Sequence, residues 1–405
     1  MAAKRISQKC WISRLLVCVM ALCLLPSQGA AADQGVTASV TIGTGIADAP
    51  SAAIDVRWDD GWFAEDAGAY RHELAEAAMA LSGAAYVKTG KKTGAQNALE
   101  AFGFSQVKAY NYHLSLESAG QTAYVFGTKS VKDRKGGTVP LVAVIIRGTG
   151  EYTEWAGNLN IGSGDDHEGF AGARDELLEN MTEYLADIGI KRTDTVKFLV
   201  TGHSRGGAVA NMTAAYLMDA KRAKKADVYG YTFAAPAVSV KAKEEGYENI
   251  FNIVNCEDLV TQVPLSAWGY HRYGVDLPLP CRNSAGEAYD GLYEKMNRRY
   301  MELTGQQYAG FRDGAATEKM TSALQRLFPN VSGINMAIVS GILRGDMSGV
   351  AELVRQNGVA SFLLGRAAMQ VTSELVPLIQ QEQGGLTSAH CMAGYYSWLT
   401  AMEEA

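Results

Sequence analysis

One short stretch restricts the fold of this chain more than any other. The mostly apolar run Val196–Val200 is followed by residues 202–207, Gly-His-Ser-Arg-Gly-Gly, and then by an alanine-rich segment. This order predicts a buried strand, a sharp turn and a helix, with Ser204 exposed at the turn. A serine hydroxyl is a weak nucleophile and needs a neighbouring base before it can react. The alternative interpretation is a plain glycine-rich turn.

Strand-like and helix-like segments alternate through the middle of the chain. Strands are predicted at Val107–Leu116, Thr122–Val131, Val139–Ile146, Thr195–Val200, Val228–Phe233, Ile250–Val254 and Val275–Leu279, and helices at Tyr70–Tyr86, Asp175–Ile188 and Gly207–Ala220. Repeated alternation of this kind predicts an α/β fold with a mostly parallel sheet covered by helices. Residues 33–60 show only weak alternation, and we interpret them as a loosely specified arm.

Residues 282–385 interrupt the alternation, because they contain almost no strand signal and their apolar residues recur at helical spacing. We interpret them as a helical insertion. Its apolar stretches around Ile334–Leu343 and Phe362–Ile379 would either cap a cleft or pack together as a separate small core.

The first 32 residues are typical of a secretory signal peptide. A basic start precedes the apolar run Leu15–Leu25, and Ala30–Ala32 offers a cleavage site before Asp33. The alternative is a membrane anchor, but the run is shorter than the ~18 apolar residues that a spanning helix needs. The sequence therefore predicts an exported chain of residues 33–405 without a transmembrane span.

Composition excludes several classes of function. The formal net charge is −6, whereas nucleic-acid-binding domains usually carry a basic face. No cysteine or histidine spacing is typical of a metal site. We therefore expect neither a nucleic-acid partner nor a metal or other cofactor.

Several motifs, taken together, resemble one known family. The turn at residues 202–207 resembles the nucleophile elbow of the class 3 lipases, a branch of the α/β-hydrolases. Further motifs of that family follow its order along the chain: Ile146–Thr149 with Trp155 and Asn158, His167-x-Gly169-Phe170, Thr232–Pro236, with Ala234 where the family usually has glycine, and Asn255–Pro264. The resemblance covers roughly Tyr70 to Tyr273 and a short piece near His390. It leaves out residues 33–60 and the helical insertion.

The candidate catalytic residues are Ser204, Asp258 and His390. Asp258 directly follows the predicted strand Ile250–Val254, at the sheet edge where functional groups gather in open α/β folds, and it also matches the acid loop of the family. The alternative interpretation of Asp258 is a solvated loop carboxylate, as Glu257 beside it would be. Chain order in α/β-hydrolases places the base after the acid, which leaves His271 and His390. The resemblance favours His390, since His271 matches a structural histidine of the family.

The resemblance also assigns supporting roles. The backbone N–H groups of Arg205 and Thr149 would form an oxyanion hole. The alternative interpretation of the segment around Thr149 is a strand that simply ends in a turn. His203, His167 and Trp155 would line or support the substrate cleft. The lid of the family would correspond to the segment between Trp155 and His167, which is short and has few large apolar residues.

The sequence therefore predicts a secreted serine esterase that cleaves carboxylic esters of acylglycerol-type lipids, with a lipid–water interface as one setting for its substrate. Two alternatives stay open. One is a phospholipase A1 or a short-chain carboxylesterase, and the other is a catalytically silent, exported lipid-binding protein with the same fold.

Three of the six cysteines lie beyond the first 32 residues: Cys256, Cys281 and Cys391. Cys256 lies near Asp258, and Cys391 follows His390, so the two would be neighbours if those side chains meet. One disulfide is therefore expected, either Cys256–Cys391 or a pair that includes Cys281.

Overall fold

The computed structural model describes residues 35–112, 121–149, 164–310, 314–327 and 376–403. The strands are β1 (Val36–Ile46), β2 (Ala49–Trp58), β3 (Ser105–Tyr110), β4 (Tyr124–Lys132), β5 (Thr138–Ile146), β6 (Lys197–His203), β7 (Val228–Phe233), β8 (Ile250–Val254) and β9 (Val275–Pro278). The helices are α1 (His72–Ala84), α2 (Gly94–Ala101), α3 (Glu168–Asp187), α4 (Arg205–Asp219), α5 (Tyr289–Thr304), α6 (Ala315–Leu327), α7 (Val376–His390) and α8 (Met392–Glu403). Shorter elements are the two-residue strands Lys88–Thr89 and Lys92–Thr93, a four-residue helix at Arg282–Ala285 and several 3₁₀ turns.

Seven strands form the central sheet, in the order β9-β8-β7-β6-β5-β4-β3. The strands from β5 to β9 run parallel, and β3 and β4 are antiparallel at one edge. This arrangement confirms the predicted α/β class. Since parallel strands share a carboxyl edge, the residues that follow β5, β6 and β8 come together there.

Helices cover both faces of the sheet. In β5, Leu141, Ala143 and Ile145 point to one face, while Val142 and Val144 point to the other, and all of them are buried. Side chains of α3 and α4 complete the second face, whereas α1, α5 and α8 contribute to the first. The near-continuous apolar sequence of β5 follows from this burial on both sides.

Residues 33–60 are not the loosely specified arm that the sequence suggests. Within them β1 and β2 form an antiparallel hairpin. Even-numbered residues such as Val40, Ile42 and Val56 face inward and are buried, and Trp58 stacks on Phe102 at 5.1 Å between ring centroids. The alternation is present, but alanine, threonine and glycine occupy so many positions that its hydrophobic contrast is weak.

The described part of the 282–385 segment is mainly helical. Tyr289, Met296 and Tyr300 of α5 are buried in the main core together with α1 and α8. This part therefore belongs to the main core. Residues 328–375, which contain most of the apolar stretches interpreted as a cap or a separate small core, lie outside the described residues, and both interpretations stay open.

A disulfide joins Cys256 to Cys281, with their Cα atoms 6.3 Å apart. Cys391 is free and buried, so the alternative pair Cys256–Cys391 is wrong. The Cys391 thiol lies 3.3 Å from the carbonyl oxygen of Ser388, within the turn between α7 and α8. The bridge instead links the loop after β8 to the beginning of the helical segment.

The predicted signal segment at residues 1–32 lies outside the described residues. Over the part of the chain that the structure describes, no helix combines the length and the apolar character needed to cross a bilayer.

Candidate active site

Ser204 lies at the turn between β6 and α4, with φ 59° and ψ −131°. A side chain other than glycine rarely adopts a positive φ, so the surrounding structure must hold this backbone in place. The glycines on either side allow it. A Cβ at Gly202 would collide with the backbone of Gly206, and a Cβ at Gly206 would collide with the carbonyl oxygen of Ile146. The close packing of β5, β6 and α4 thus requires glycine at both positions.

Three side chains from distant parts of the chain meet at this turn. The Oγ of Ser204 lies 3.0 Å from Nε2 of His390. The Nδ1 of His390 lies 3.0 and 2.9 Å from the two carboxylate oxygens of Asp258. Because Nδ1 faces a carboxylate, it carries the proton, and Nε2 can accept the proton of the serine.

The carboxylate of Asp258 is completely buried, and four hydrogen-bond contacts involve it. Besides His390, Tyr395 donates its hydroxyl proton to Oδ2 at 2.9 Å, and the backbone N–H of Val260 donates to Oδ1 at 2.9 Å. A buried charge is tolerated only when it is paired and hydrogen-bonded, and these donors meet that requirement. They also orient the carboxylate toward the imidazole.

His203 supports the backbone of His390 rather than facing open solvent. Its Nε2 lies 2.7 Å from the carbonyl oxygen of His390, so Nε2 carries the proton and Nδ1 accepts from the hydroxyl of Tyr86 at 3.1 Å. Burial, together with the neighbouring His390, lowers the pKa of His203 well below its ordinary value. The ring is therefore neutral, as a donor to a carbonyl and an acceptor from a phenol should be.

His271, the alternative base, lies elsewhere. Its side chain is exposed, and its backbone pairs with that of Ser239. The structure thus brings His390, and not His271, into hydrogen-bond distance of Ser204.

The two candidate oxyanion residues flank the serine. Arg205 is the first residue of α4, where backbone N–H groups lack partners within the helix. Thr149 follows Gly148, at which a Cβ would approach the Cβ of Ser204 to 3.2 Å. The backbone before Thr149 is thus packed directly against Ser204.

The candidate cleft residues differ in their surroundings. His167 precedes α3 and is fully buried, with its ring stacked on Phe170 at 3.7 Å between centroids. Burial, with a smaller effect from the charge of Arg205, lowers the pKa of His167 to about 3. Trp155 and most of the predicted lid, residues 150–163, lie outside the described residues.

Sequence reasoning missed some of the residues that support the site. Glu257 is not a solvated carboxylate, because only 2% of its surface is exposed. Tyr86 and Tyr395 were not predicted to contact the site. Nothing in the sequence marks Tyr86 as a residue of the site.

Among the described residues, no cluster of three or more histidine, cysteine, aspartate or glutamate side chains could hold a metal ion. The three-residue arrangement itself is suited to proton transfer from a serine to an imidazole that a carboxylate orients.

Comparison with known proteins agrees with the sequence motifs. A family model described as lipase (class 3) matches residues 143–268, about a third of the chain. The secreted mono- and diacylglycerol lipase 1 of Fusarium solani is 31% identical over 145 residues, which cover 32% of this chain and 41% of that protein. The chain therefore spans less than half the length of this relative.

Solved structures of fungal lipases are also similar. The lipase of Rhizopus microsporus var. chinensis is 20% identical, with a TM-score of 0.38 over 63% of this chain and 81% of that one. The mono- and diacylglycerol lipase of Aspergillus oryzae is 19% identical, with a TM-score of 0.35 over 50% of this chain and 78% of that one. Residues 143–268 are thus similar to the class 3 lipase family.

Proposed function

We propose that this protein is a secreted serine esterase that hydrolyses carboxylic ester bonds of acylglycerol-type lipids. One observation carries the proposal: the 3.0 Å contact between Ser204 Oγ and a His390 ring whose other nitrogen faces the buried carboxylate of Asp258. This is the arrangement that activates a serine as a nucleophile.

In the proposed mechanism, Ser204 Oγ attacks the ester carbonyl carbon while His390 Nε2 takes the hydroxyl proton. Asp258 stabilises the imidazolium that forms. The backbone N–H groups of Arg205 and Thr149 stabilise the negative charge on the carbonyl oxygen of the tetrahedral intermediate.

Collapse of that intermediate breaks the ester bond. His390 returns its proton to the departing alcohol, and an acyl-enzyme remains on Ser204. A water molecule then attacks the acyl group, with His390 again as the base, and releases the carboxylic acid and free Ser204.

The substrate class rests on the relatives. The Fusarium protein is a mono- and diacylglycerol lipase by name, and its name also describes it as secreted. Together with the signal-like residues 1–32, this supports export of the chain. A phospholipase A1 or short-chain carboxylesterase would use the same triad, and a silent lipid-binding protein would keep the fold alone.

A panel of purified esters tests the proposal: p-nitrophenyl esters of increasing chain length, mono-, di- and triacylglycerols, and a phosphatidylcholine. We expect acylglycerol hydrolysis by the wild type. Preference for phospholipid or for short soluble esters would favour the enzyme alternatives. Binding of lipid without hydrolysis of any ester would contradict the proposal.

A further inference from the structure

The helical segment that follows Cys281 contacts the loop that carries Asp258, residues 255–264, through a buried tyrosine. We call this loop the acid loop. Tyr308, between α5 and α6, is only 4% exposed. Its hydroxyl donates to Oε2 of Glu257 at 2.9 Å and accepts from Nδ2 of Asn255 at 3.2 Å. Burial, with the charge of Glu257 as the next cause, raises the pKa of Tyr308 well above its ordinary value, so the phenol keeps its proton.

Asn255 connects this contact to the catalytic groups. Its Nδ2 also donates to the carbonyl oxygen of Ala389, the residue before His390, at 3.1 Å. Its backbone N–H donates to the hydroxyl of Tyr395 at 3.0 Å, and that hydroxyl in turn donates to Asp258. One residue of the acid loop thus contacts the backbone beside His390 and the tyrosine that orients Asp258.

Helices α5 and α6 hold Tyr308 and the acid loop through further contacts. The backbone N–H of Tyr308 donates to Oδ1 of Asn297 at 2.8 Å, and its ring packs edge-on against Tyr300 at 5.4 Å. From α6, Thr317 donates its hydroxyl proton to the carbonyl oxygen of Glu257 at 2.8 Å. The loop that carries Asp258 is therefore held by both helices.

We propose that Tyr308 is a positioning residue for the catalytic triad: through Asn255 and Glu257 it holds Asp258 and the backbone at His390 in the geometry needed for proton transfer. This inference rests on the proposed function. It assigns the helical segment a role in catalysis that does not depend on a cap over the cleft. A small displacement of an aligned catalytic group lowers the rate strongly, because reactive alignment contributes much of the rate enhancement.

Tyr308→Phe tests the proposal, since it removes the hydroxyl and keeps the ring. Tyr229→Phe is the matched control. Tyr229 is also buried. Its hydroxyl lies 3.0 and 2.6 Å from the carbonyl oxygens of Phe63 and Glu65 and accepts from Nζ of Lys197 at 3.3 Å, and none of these groups belongs to the acid loop. Both variants lose a buried, hydrogen-bonded hydroxyl and keep the ring, so a loss of thermal stability is expected in both.

Two measurements distinguish a positioning role of Tyr308 in catalysis from a role in protein stability alone. The first is steady-state hydrolysis: we expect kcat of Tyr308→Phe to fall about tenfold with KM unchanged, and kcat of Tyr229→Phe to stay at the wild-type value. The second is the NMR signal of the proton on His390 Nδ1, identified by its loss in His390→Ala. Its exchange with water should be faster in Tyr308→Phe than in the control.

Thr317→Val removes the hydrogen bond from α6 to Glu257 at nearly constant volume and should change both readouts in the same direction. If Tyr308→Phe matches Tyr229→Phe in kcat and in proton exchange, the positioning role is wrong. A wild-type protein that hydrolyses no ester would contradict the proposed function instead, and proton exchange would still decide the role of Tyr308.

Discussion

His390 is the residue on which the arrangement of the site depends most. Its two ring nitrogens face Ser204 and Asp258, while its carbonyl oxygen accepts from His203. Both its side chain and its backbone are thus fixed by hydrogen bonds. A residue held in this way is suited to transfer a proton without reorganisation.

His390→Ala should lower kcat/KM by about 10⁴- to 10⁶-fold, because the members of a triad act as one unit. For the same reason, the double variant with Ser204→Ala should be little worse than either single variant. His271→Ala should retain most of the activity, since that side chain is exposed and away from the serine. Steady-state kinetics with a soluble ester would give kcat/KM for the three single variants and the double variant, each compared with the wild type. The opposite ranking of the two histidine variants would assign the base to His271.

Residues with local motifs could be predicted from the sequence, whereas their supporting partners could not. Ser204 lies within a short glycine pattern whose spacing reflects the steric demands of one turn. Tyr86 and Tyr308 contact the site from positions more than 50 residues away from their partners, His203 and Glu257. Such contacts depend on how distant elements pack, and one sequence contains no periodic signal for them.

Among the elements, the beginning of helix α3 contains a buried histidine, His167, whose protonation is unfavourable in the folded protein. His167 is its N-cap residue and makes no side-chain capping hydrogen bond. Over the part of the chain that the structure describes, neither of its ring nitrogens has a hydrogen-bond partner. A positive imidazolium is disfavoured there by burial and, to a smaller extent, by the charge of Arg205.

This leads to a pH-dependent prediction for stability. The pKa of His167 is about 3 in the folded protein, against about 6.5 in an unfolded chain. Below about pH 6.5 the unfolded chain binds a proton that the folded protein does not, so this histidine lowers stability as the pH falls. His167→Phe removes the effect. As the pH falls from 7.5 to 5, the free energy of unfolding of His167→Phe should therefore rise by about 2 kcal/mol relative to that of the wild type.

Urea unfolding of both proteins at the two pH values measures this difference. An equal effect of the substitution at pH 7.5 and pH 5 would show that His167 does not titrate in this way. At either pH the loss of two unpaired buried nitrogens should cost little, because an apolar ring of similar size replaces them.

Regular elements with strong hydrophobic contrast were predictable, and those built from small residues were not. The strand β5 is almost entirely apolar, and its predicted and observed bounds differ by one residue. The hairpin β1–β2 was missed, yet it is close to the site, since a Cβ at Gly45 would approach the Cβ of Cys391 to 2.8 Å. Its inward positions carry Thr44 and Ala52 among larger residues, so the alternation of its side chains is faint in the sequence.

At the scale of the whole molecule, segments outside the central sheet support the site. The N-terminal hairpin packs against the turn after His390, and the helical segment contacts the acid loop. The disulfide Cys256–Cys281 connects that loop to the helical segment covalently. The three candidate catalytic residues meet at the carboxyl edge of the sheet, and the N-terminal hairpin and the helical segment support them there.

Covalent labelling with a fluorophosphonate tests the central claim most directly, because only an activated serine reacts rapidly with it. The folded wild-type protein should take up one label per chain, and peptide mass spectrometry should locate it on Ser204. Ser204→Ala should take up none, and His390→Ala should react far more slowly. A folded wild-type protein that stays unlabelled, or that carries the label on another serine, would contradict the account.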